Sequence, residues 1–439
     1  MNFRIIAYIV GWVCNFQAAF MMLPLLTAGI YREKDFSAFL LVMLVCLVVG
    51  VPLTRKKPKN KVFYIKDGCV AVALSWLALC IFGSIPFVVS GCIPHPIDAL
   101  FETVSGFTTT GSSILSDVEV LPHCILIWRS FTHWIGGMGV LVFLLSLLPL
   151  AGGYHMNLMK AESPGPSVSK LVPKVQSTAK ILYTIYFGMT LIQLALLLIG
   201  RVPLFDSLCI TFGTAGTGGF GIVNDSLGSY STYCQVVTTI FMILFGVNFS
   251  AYYLILTKKF RQAFKYEEVR YYFGIIAVAI VIIALNTAHL FRNLLTAFQQ
   301  AAFQVGSIIT TTGFSSTDFN QWPALSKTVL VLLMFVGACA GSTGGGIKVS
   351  RILILCKAAK KEFQLYLHPN AVKKIKMDDK VITHDILRST NIYISLYLMI
   401  FAASVLLIAI DNFDLITNFM AVTATLNNIG PGFEIVGPM

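Results

Sequence analysis

Charged side chains are few in this chain, and acidic ones fewest. Of 439 residues 12% are charged, with 20 Asp and Glu against 32 Lys and Arg. So little charge, with 56% hydrophobic residues and a mean hydropathy of +0.79, excludes an ordinary soluble domain and implies a polytopic membrane protein. The acids form no recurring set that could line a pore, so selection of a cation by a ring of carboxylates is not expected. No nucleophile–base pair, paired carboxylates or organic-cofactor motif stands out, which leaves a membrane-embedded enzyme without support. The ten cysteines include no CxxC and lie mostly within apolar runs, so a metal cluster is not expected. Cys92, Cys124 and Cys234 fall near the expected outer face, where a disulfide is one reading and buried free thiols the favoured one. A cleavable leader is not expected either. The apolar part of Met1–Tyr31 is too long for a signal-peptide core and a second apolar run follows at once.

The charge that is present is distributed unevenly. A formal net charge of +12 could suggest a nucleic-acid partner, but its placement fits the cytoplasmic side of a membrane protein better. With the N-terminus inside, the basic zones are Arg4, Arg55–Lys66, Lys160–Lys180, Lys258–Arg270 and Lys348–Arg388. Only Arg32, Lys34, Arg129, Arg201, Arg292 and Lys327 lie elsewhere. The expectation is a multi-pass protein of the cytoplasmic membrane, with its inner charge available to anionic lipid or an acidic partner and no role for nucleic acid.

Apolar segments then recur in a pattern. Residues 5–30 and 37–54 predict two spanning helices, followed by the basic linker Arg55–Lys61. After them come four units, each an outward span, a segment too short to cross, and a polar turn. The outward spans are 67–90, 180–200, 271–290 and 390–410. A crossing needs about 20 residues, so the segments from Asp98 to Thr108, 206–214, the one ending near Ile309, and 414–426 read as re-entrant half-helices. Asp98, Asp206 and Asp414 each follow an apolar residue and are expected to cap three of them. Return spans are expected at 124–150, 233–256 and 326–356. All four units share one orientation, which predicts an all-α fold with a pseudo-fourfold axis along the membrane normal. The expected boundaries are 1–61, 62–178, 179–270, 271–388 and 389–439.

The turns are Thr108-Thr109-Thr110-Gly111-Ser112, Ala215-Gly216-Thr217-Gly218-Gly219, Thr310-Thr311-Thr312-Gly313-Phe314 and Asn427-Asn428-Ile429-Gly430-Pro431. A polar, non-helical backbone in an apolar chain must face protein or water, because lipid cannot satisfy its N–H and C=O groups. Four such turns around one axis could present carbonyls to a dehydrated cation, as carbonyl rings do for K⁺. Glycine at the sharpest position permits φ > 0, and Thr hydroxyls could add ligands at the inner edge.

These turns, with Phe101-Glu102-Thr103-Val104-Ser105-Gly106-Phe107 before the first, resemble the Trk/Ktr/HKT superfamily of potassium transporters. His133-Trp134-Ile135-Gly136-Gly137-Met138-Gly139, Ala161-Glu162-Ser163-Pro164-Gly165-Pro166, Gly341-Ser342-Thr343-Gly344-Gly345-Gly346-Ile347-Lys348 and Leu426-Asn427-Asn428-Ile429-Gly430-Pro431-Gly432 are similar to its TrkH branch. The resemblance implies four M1–pore helix–M2 repeats plus two N-terminal helices, and K⁺ as the transported ion. It makes Gly111, Gly218, Gly313 and Gly430 the filter glycines. Coordinating carbonyls are then expected from Thr109 and Thr110, Gly216 and Thr217, Thr311 and Thr312, and Asn428 and Ile429. Because the second and fourth turns are the looser copies, moderate K⁺ over Na⁺ selectivity is expected. The fourth M2, with the Arg it carries in the family, is absent from this chain, for which a C-terminal truncation is the expected cause.

Gly337–Gly346 interrupts the third return span with a run no helix favours. The resemblance makes it an intramembrane gating loop comprising Gly341, Ser342, Thr343, Gly344, Gly345, Gly346 and Lys348. Close helix packing by small residues is the alternative. A phosphate-binding P-loop does not fit, since Ile347 separates Gly346 from Lys348. Lys348 itself is open to three readings: a contact to loop carbonyls, an electrostatic barrier to cations, or an inner-face snorkelling lysine. Arg129, His133 and Trp134 are expected to brace half-helix ends. The resemblance further implies a homodimer and a cytoplasmic regulatory subunit of Rossmann type that binds nucleotide and faces Lys357–Arg388. Potassium uptake through a gated filter is the expected function; an ion-coupled (H⁺ or Na⁺) symporter and the potassium-selective subunit of a primary pump are the alternatives.

Overall fold

The computed structural model describes residues 1–58, 63–137, 139, 175–370 and 374–438. The described residues are mostly helical, and one compact unit ends at Leu227 where a second begins at Gly228. In the first unit, α1 (Phe3–Phe20) and α2 (Met22–Tyr31) form one apolar rod broken at Met21. Pro24 explains the break, since it cannot donate to the carbonyl four residues earlier and its ring crowds it. Next come α3 (Phe36–Thr54), α4 (Ile65–Ser90), α5 (Pro96–Phe107), α6 (His123–Gly137), α7 (Val175–Ile199) and α8 (Leu204–Gly216). Their shared core includes Val13, Phe39, Phe87, Phe107 and Trp128, all buried. Gln17 Nε2 donates to the Leu79 carbonyl (3.0 Å) and Trp128 Nε1 to that of Gly83 (3.1 Å), tying α1 and α6 to α4.

The second unit holds α9 (Thr232–Phe245), α10 (Phe249–Leu256), the short α11 (Phe260–Ala263), α12 (Glu267–Thr287), α13 (Leu294–Ile309), α14 (Ala324–Val336) and α15 (Val349–Leu367). A small hairpin follows, β1 (Lys376–Met377) and β2 (Lys380–Val381), then α16 (His384–Ile408) and α17 (Leu415–Leu426). Asp378 and Asp379 both have positive φ, the requirement of a two-residue turn whose twist matches the strands. Tyr272, Ile283, Ile308, Phe319, Leu330 and Met334 form this unit's core.

Six helices among the described residues are long and apolar enough to cross a membrane, and α9 with α10 makes a seventh if counted as one span. The half-helices α5, α8, α13 and α17 have 12, 13, 16 and 12 residues, too short to cross. Several details depart from the sequence reading. The return span expected at 233–256 is bent by 93° between α9 and α10. Only Asp414 is an N-cap, accepting from the Thr417 amide at 3.0 Å. Asp98 and Asp206 lie inside the first turn, behind His95 and Pro203, where they can complement the helix dipole but do not cap. The boundaries expected after residues 178, 270 and 388 fall within α7, α12 and α16. The inner part of the first return span, the segment Ala161–Pro166 and Lys373 lie outside the described residues.

Candidate functional site

The four polar turns share one backbone construction. After α5, the amide of Thr109 donates to the Gly106 carbonyl (3.1 Å) and that of Thr110 to Ser105 (2.9 Å). After α8, Thr217 donates to Thr214 (3.1 Å) and Gly218 to Gly213 (2.9 Å). After α13 the pairs are Thr311 to Ile308 (3.1 Å) and Thr312 to Ser307 (2.8 Å), and after α17 Asn428 to Thr425 (3.0 Å) and Ile429 to Ala424 (2.8 Å). Each helix therefore ends in a closure with a left-handed residue that is not glycine: Thr109, Thr217, Thr311 and Asn428, with φ of 62, 54, 58 and 65°. Two residues later comes a glycine with φ of 78, 79, 86 or 99°: Gly111, Gly219, Gly313 and Gly430.

This register corrects the second turn by one residue. Gly216 is the last residue of α8, and Gly218 occupies the place of Thr110, Thr312 and Ile429. The positive-φ glycine is Gly219, not Gly218. Aligning Thr217 with Thr109 and Thr311 would have found it.

Both units pack consecutive turns alike. A Cβ on Gly111 would lie 1.9 Å from the Gly218 carbonyl oxygen, and one on Gly313 2.0 Å from that of Ile429. Only glycine fits there. The Thr110 hydroxyl pairs with that of Thr108 (2.9 Å) and the Thr312 hydroxyl with that of Thr310 (2.7 Å). These hydroxyls brace their turns instead of standing open as ligands.

In the first unit, α6 lies directly behind turns one and two. A Cβ on Gly136 would meet the Phe107 carbonyl at 2.0 Å, and one on Gly218 would meet the His133 ring at 2.2 Å. His133 is buried and stacks on Phe220 (4.3 Å), over which the Arg129 guanidinium also sits (4.2 Å). Arg129 Nε donates to Glu102 Oε1 on α5 at 2.8 Å, with both side chains buried. The same carboxylate accepts from the Ser113 hydroxyl and the Ile114 amide, so it fixes the chain leaving turn one. Arg129 thus braces the middle of α5 and the chain beyond the turns, not a half-helix end as the sequence reading had it. Its partner Glu102, the second acid of α5 after Asp98 and the one in the helix's middle, was there to be noticed.

In the second unit the chain between α14 and α15 is non-helical from Gly337 (φ 71°) to Lys348 (φ 83°). The loop lies against turns three and four. The Gly345 amide donates to the Thr311 hydroxyl at 2.5 Å, and a Cβ on Gly345 would come within 2.9 Å of the Asn427 carbonyl. Gly344 leaves similarly little room, with the Thr310 carbonyl 2.6 Å from its notional Cβ. Lys348 is half-buried, and its ammonium donates to the Gly344 carbonyl, the first of its three sequence readings. Gly341, Ser342 and Thr343 face the break between α9 and α10. Phe249 donates to the Gly341 carbonyl (2.9 Å), Cys339 to that of Gly246 (3.0 Å) and Thr343 to that of Phe245 (3.4 Å). The Ser342 hydroxyl closes back on the Cys339 carbonyl at 2.6 Å.

Glu268, near the start of α12, escaped the sequence reading. Its buried carboxylate accepts the amides of Ala340 (2.6 Å) and Ser350 (3.1 Å), one within the loop and one just beyond it. Among the described residues no group of three His, Cys, Asp or Glu could hold a metal ion, and no disulfide joins the cysteines.

A profile of the TrkH family, described as a cation transport protein, matches residues 34–434. The Trk system potassium uptake protein TrkH of Salmonella typhimurium is 36% identical over 446 residues, spanning 99% of this chain and 92% of that protein. Its counterpart from Escherichia coli K12 is 35% identical over 443 residues with the same coverage. The fold superposes on the crystal structure of the potassium transporter TrkH from Vibrio parahaemolyticus with a TM-score of 0.89, at 30% identity over 99% of this chain and 92% of that one. The relatives are named as transporters and not as enzymes, and the helices described above make this a multi-pass membrane protein of the same fold. The chain belongs to the TrkH family of cation transport proteins.

Proposed function

We propose that the protein mediates potassium uptake across the cytoplasmic membrane through a filter lined by the carbonyls of its four turns. The supporting observation is the backbone recurrence: a left-handed non-glycine residue, then a positive-φ glycine two places on, four times. Such a residue costs about 1–3 kcal/mol, and strain of this kind persists where function requires it. In this reading each M1–pore helix–M2 repeat contributes one turn about a pseudo-fourfold axis, with the N-terminus and basic segments inside. The carbonyls of Thr109, Thr110, Thr217, Gly218, Thr311, Thr312, Asn428 and Ile429 replace the water shell of K⁺. Gly111, Gly219, Gly313 and Gly430 let the chain turn so that these carbonyls share a side.

The loop 337–348 is the gate. It touches turns three and four directly, and the Lys348 ammonium places positive charge beside the path, which opposes cation passage until the loop moves. A nucleotide-binding subunit of Rossmann type on the cytoplasmic face would bias the loop between conformations, and the working assembly is a homodimer. The test is rubidium flux into liposomes containing the purified protein, compared with Gly313→Ser and repeated in Na⁺. Downhill flux without added energy, with discrimination relaxed by Gly313→Ser, is expected. Flux strictly tied to an H⁺ or Na⁺ gradient and indifferent to Gly313→Ser would replace this reading with coupled symport.

A further inference from the structure

The cytoplasmic end of α15 carries a feature that the transport reading does not use. Lys357, Lys360 and Lys361 lie three and four residues apart and so share one helical face. Lys374 and Lys376, two apart on the chain entering β1, close the opposite side. Together with Gln364 and Ile375 they line a cavity of about 390 Å³. A merely solvated basic face lets its lysines splay apart. Here a helix and a hairpin bring five lysines to the wall of one hollow, and one of them, Lys357, pairs with Glu267. Lysine suits this chemistry, because each ammonium is a mobile point charge with three donors and can adapt to a tetrahedral oxyanion.

We propose that this cavity binds a phosphate-bearing anion carrying at least two negative charges. A free diphosphate and a dianionic phospholipid headgroup both supply that chemistry. The site is mechanically connected to the loop region. Lys357 Nζ also donates to the Lys376 carbonyl (2.7 Å), and the Glu267 amide donates to Asp378 Oδ1 in the hairpin (2.7 Å). Glu267 is the neighbour of Glu268, which holds the loop. Occupancy therefore competes with Glu267 for Lys357 and bears on the tie between the hairpin and the start of α12. Its effect on the gate rests on the proposed function, but binding does not, and the experiment reads binding alone.

Inorganic pyrophosphate is titrated calorimetrically against the purified protein. In parallel, protein from vesicles containing cardiolipin and phosphatidylcholine is examined by native mass spectrometry. The variant K360Q/K361Q/K374Q changes residues outside the filter and the loop, and K258Q/K259Q/R261Q removes the same charge elsewhere on the basic face. One saturable site per chain for pyrophosphate, weakened at least about tenfold in the first variant and much less in the second, supports a free-anion site. Cardiolipin retained by the native protein and the second variant but lost from the first supports a lipid source. Binding that neither probe shows, or that both variants weaken equally, overturns the proposal.

Discussion

Glu268→Ala tests whether the loop is a gate held from one side. The substitution leaves the amides of Ala340 and Ser350, which the carboxylate reaches at 2.6 and 3.1 Å, without their acceptor. A buried donor left unsatisfied costs about 1–3 kcal/mol. Two of them, partly relieved by entering water, come to about 3 kcal/mol. That is a shift of roughly a hundredfold in the balance between the described loop conformation and any other. Contacts to turns three and four are untouched, because Glu268 meets neither. Rubidium uptake by reconstituted protein, measured without any cytoplasmic partner, should therefore rise at unchanged ion selectivity. Glu268→Gln keeps the size and one acceptor oxygen and should give a smaller rise, about tenfold at most. If both variants retain the native melting temperature and take up rubidium at the native rate or below it, Glu268 does not restrain a gate.

The first unit has its own tests. Arg129→Gln strands the buried Glu102 carboxylate, which should cost about 3–5 kcal/mol and lower the thermal midpoint in detergent by several degrees; adding Glu102→Gln should recover most of the loss, and no recovery would refute pairing as the cause. Gly218→Ala should fail because its Cβ meets the His133 ring at 2.2 Å, and His133→Ala should rescue its uptake. Gly219→Ala should not be rescued, because its defect is a φ of 79°; the reverse pattern would reject the corrected register. Glu33 lies outside the spans, and burial alone would raise its carboxyl. The hydrogen bonds from Cys124 and His123 outweigh that and hold it below its ordinary 4.5. The stability it contributes is present in full above that value and lost as pH falls through the lowered folded value. Glu33→Gln should therefore flatten stability against pH in the acid range and leave it unchanged in slope near neutrality.

Much of this architecture was legible because membrane helices announce themselves by length and the turns by glycine. The half-helices α13 and α17 end at Ile309 and Leu426, where the sequence put them, since Thr310 and Asn427 begin a polar stretch that cannot continue into lipid. The second turn slipped by one because three of its residues are glycine and any of them could meet the conformational demand. Only the hydrogen bonds from Thr217 and Gly218 back into α8 decide which does. Glu102 and Glu268 were visible as letters, but their roles depend on partners 27 and 72 residues away.

The bend between α9 and α10 was hidden for a different reason, and its cause lies in the loop. Residues 246–248 contain no proline, and the local signals are slight, a Gly at 246 that ends α9 and an Asn at 248 that caps α10 in a largely apolar run, so a turn of 93° does not follow from them alone. A break in either helix alone would leave amides and carbonyls unpaired where lipid cannot satisfy them. Together they satisfy one another: Cys339 donates to Gly246, Phe249 to Gly341, and Thr343 to Phe245. The glycine run that disfavours helix between α14 and α15 thus supplies the partners that make the second break tolerable. Movement of the loop must expose the Gly246 and Phe245 carbonyls and the Phe249 amide, so the two breaks have to move together or admit water. The gate proposed above would thus be coupled to α9 and α10 by the need to pair backbone groups. Substitutions at Asn248, whose side chain accepts the Ser250 amide at 2.9 Å and lies beside Gly341, should therefore alter uptake although Asn248 belongs to no turn of the proposed filter.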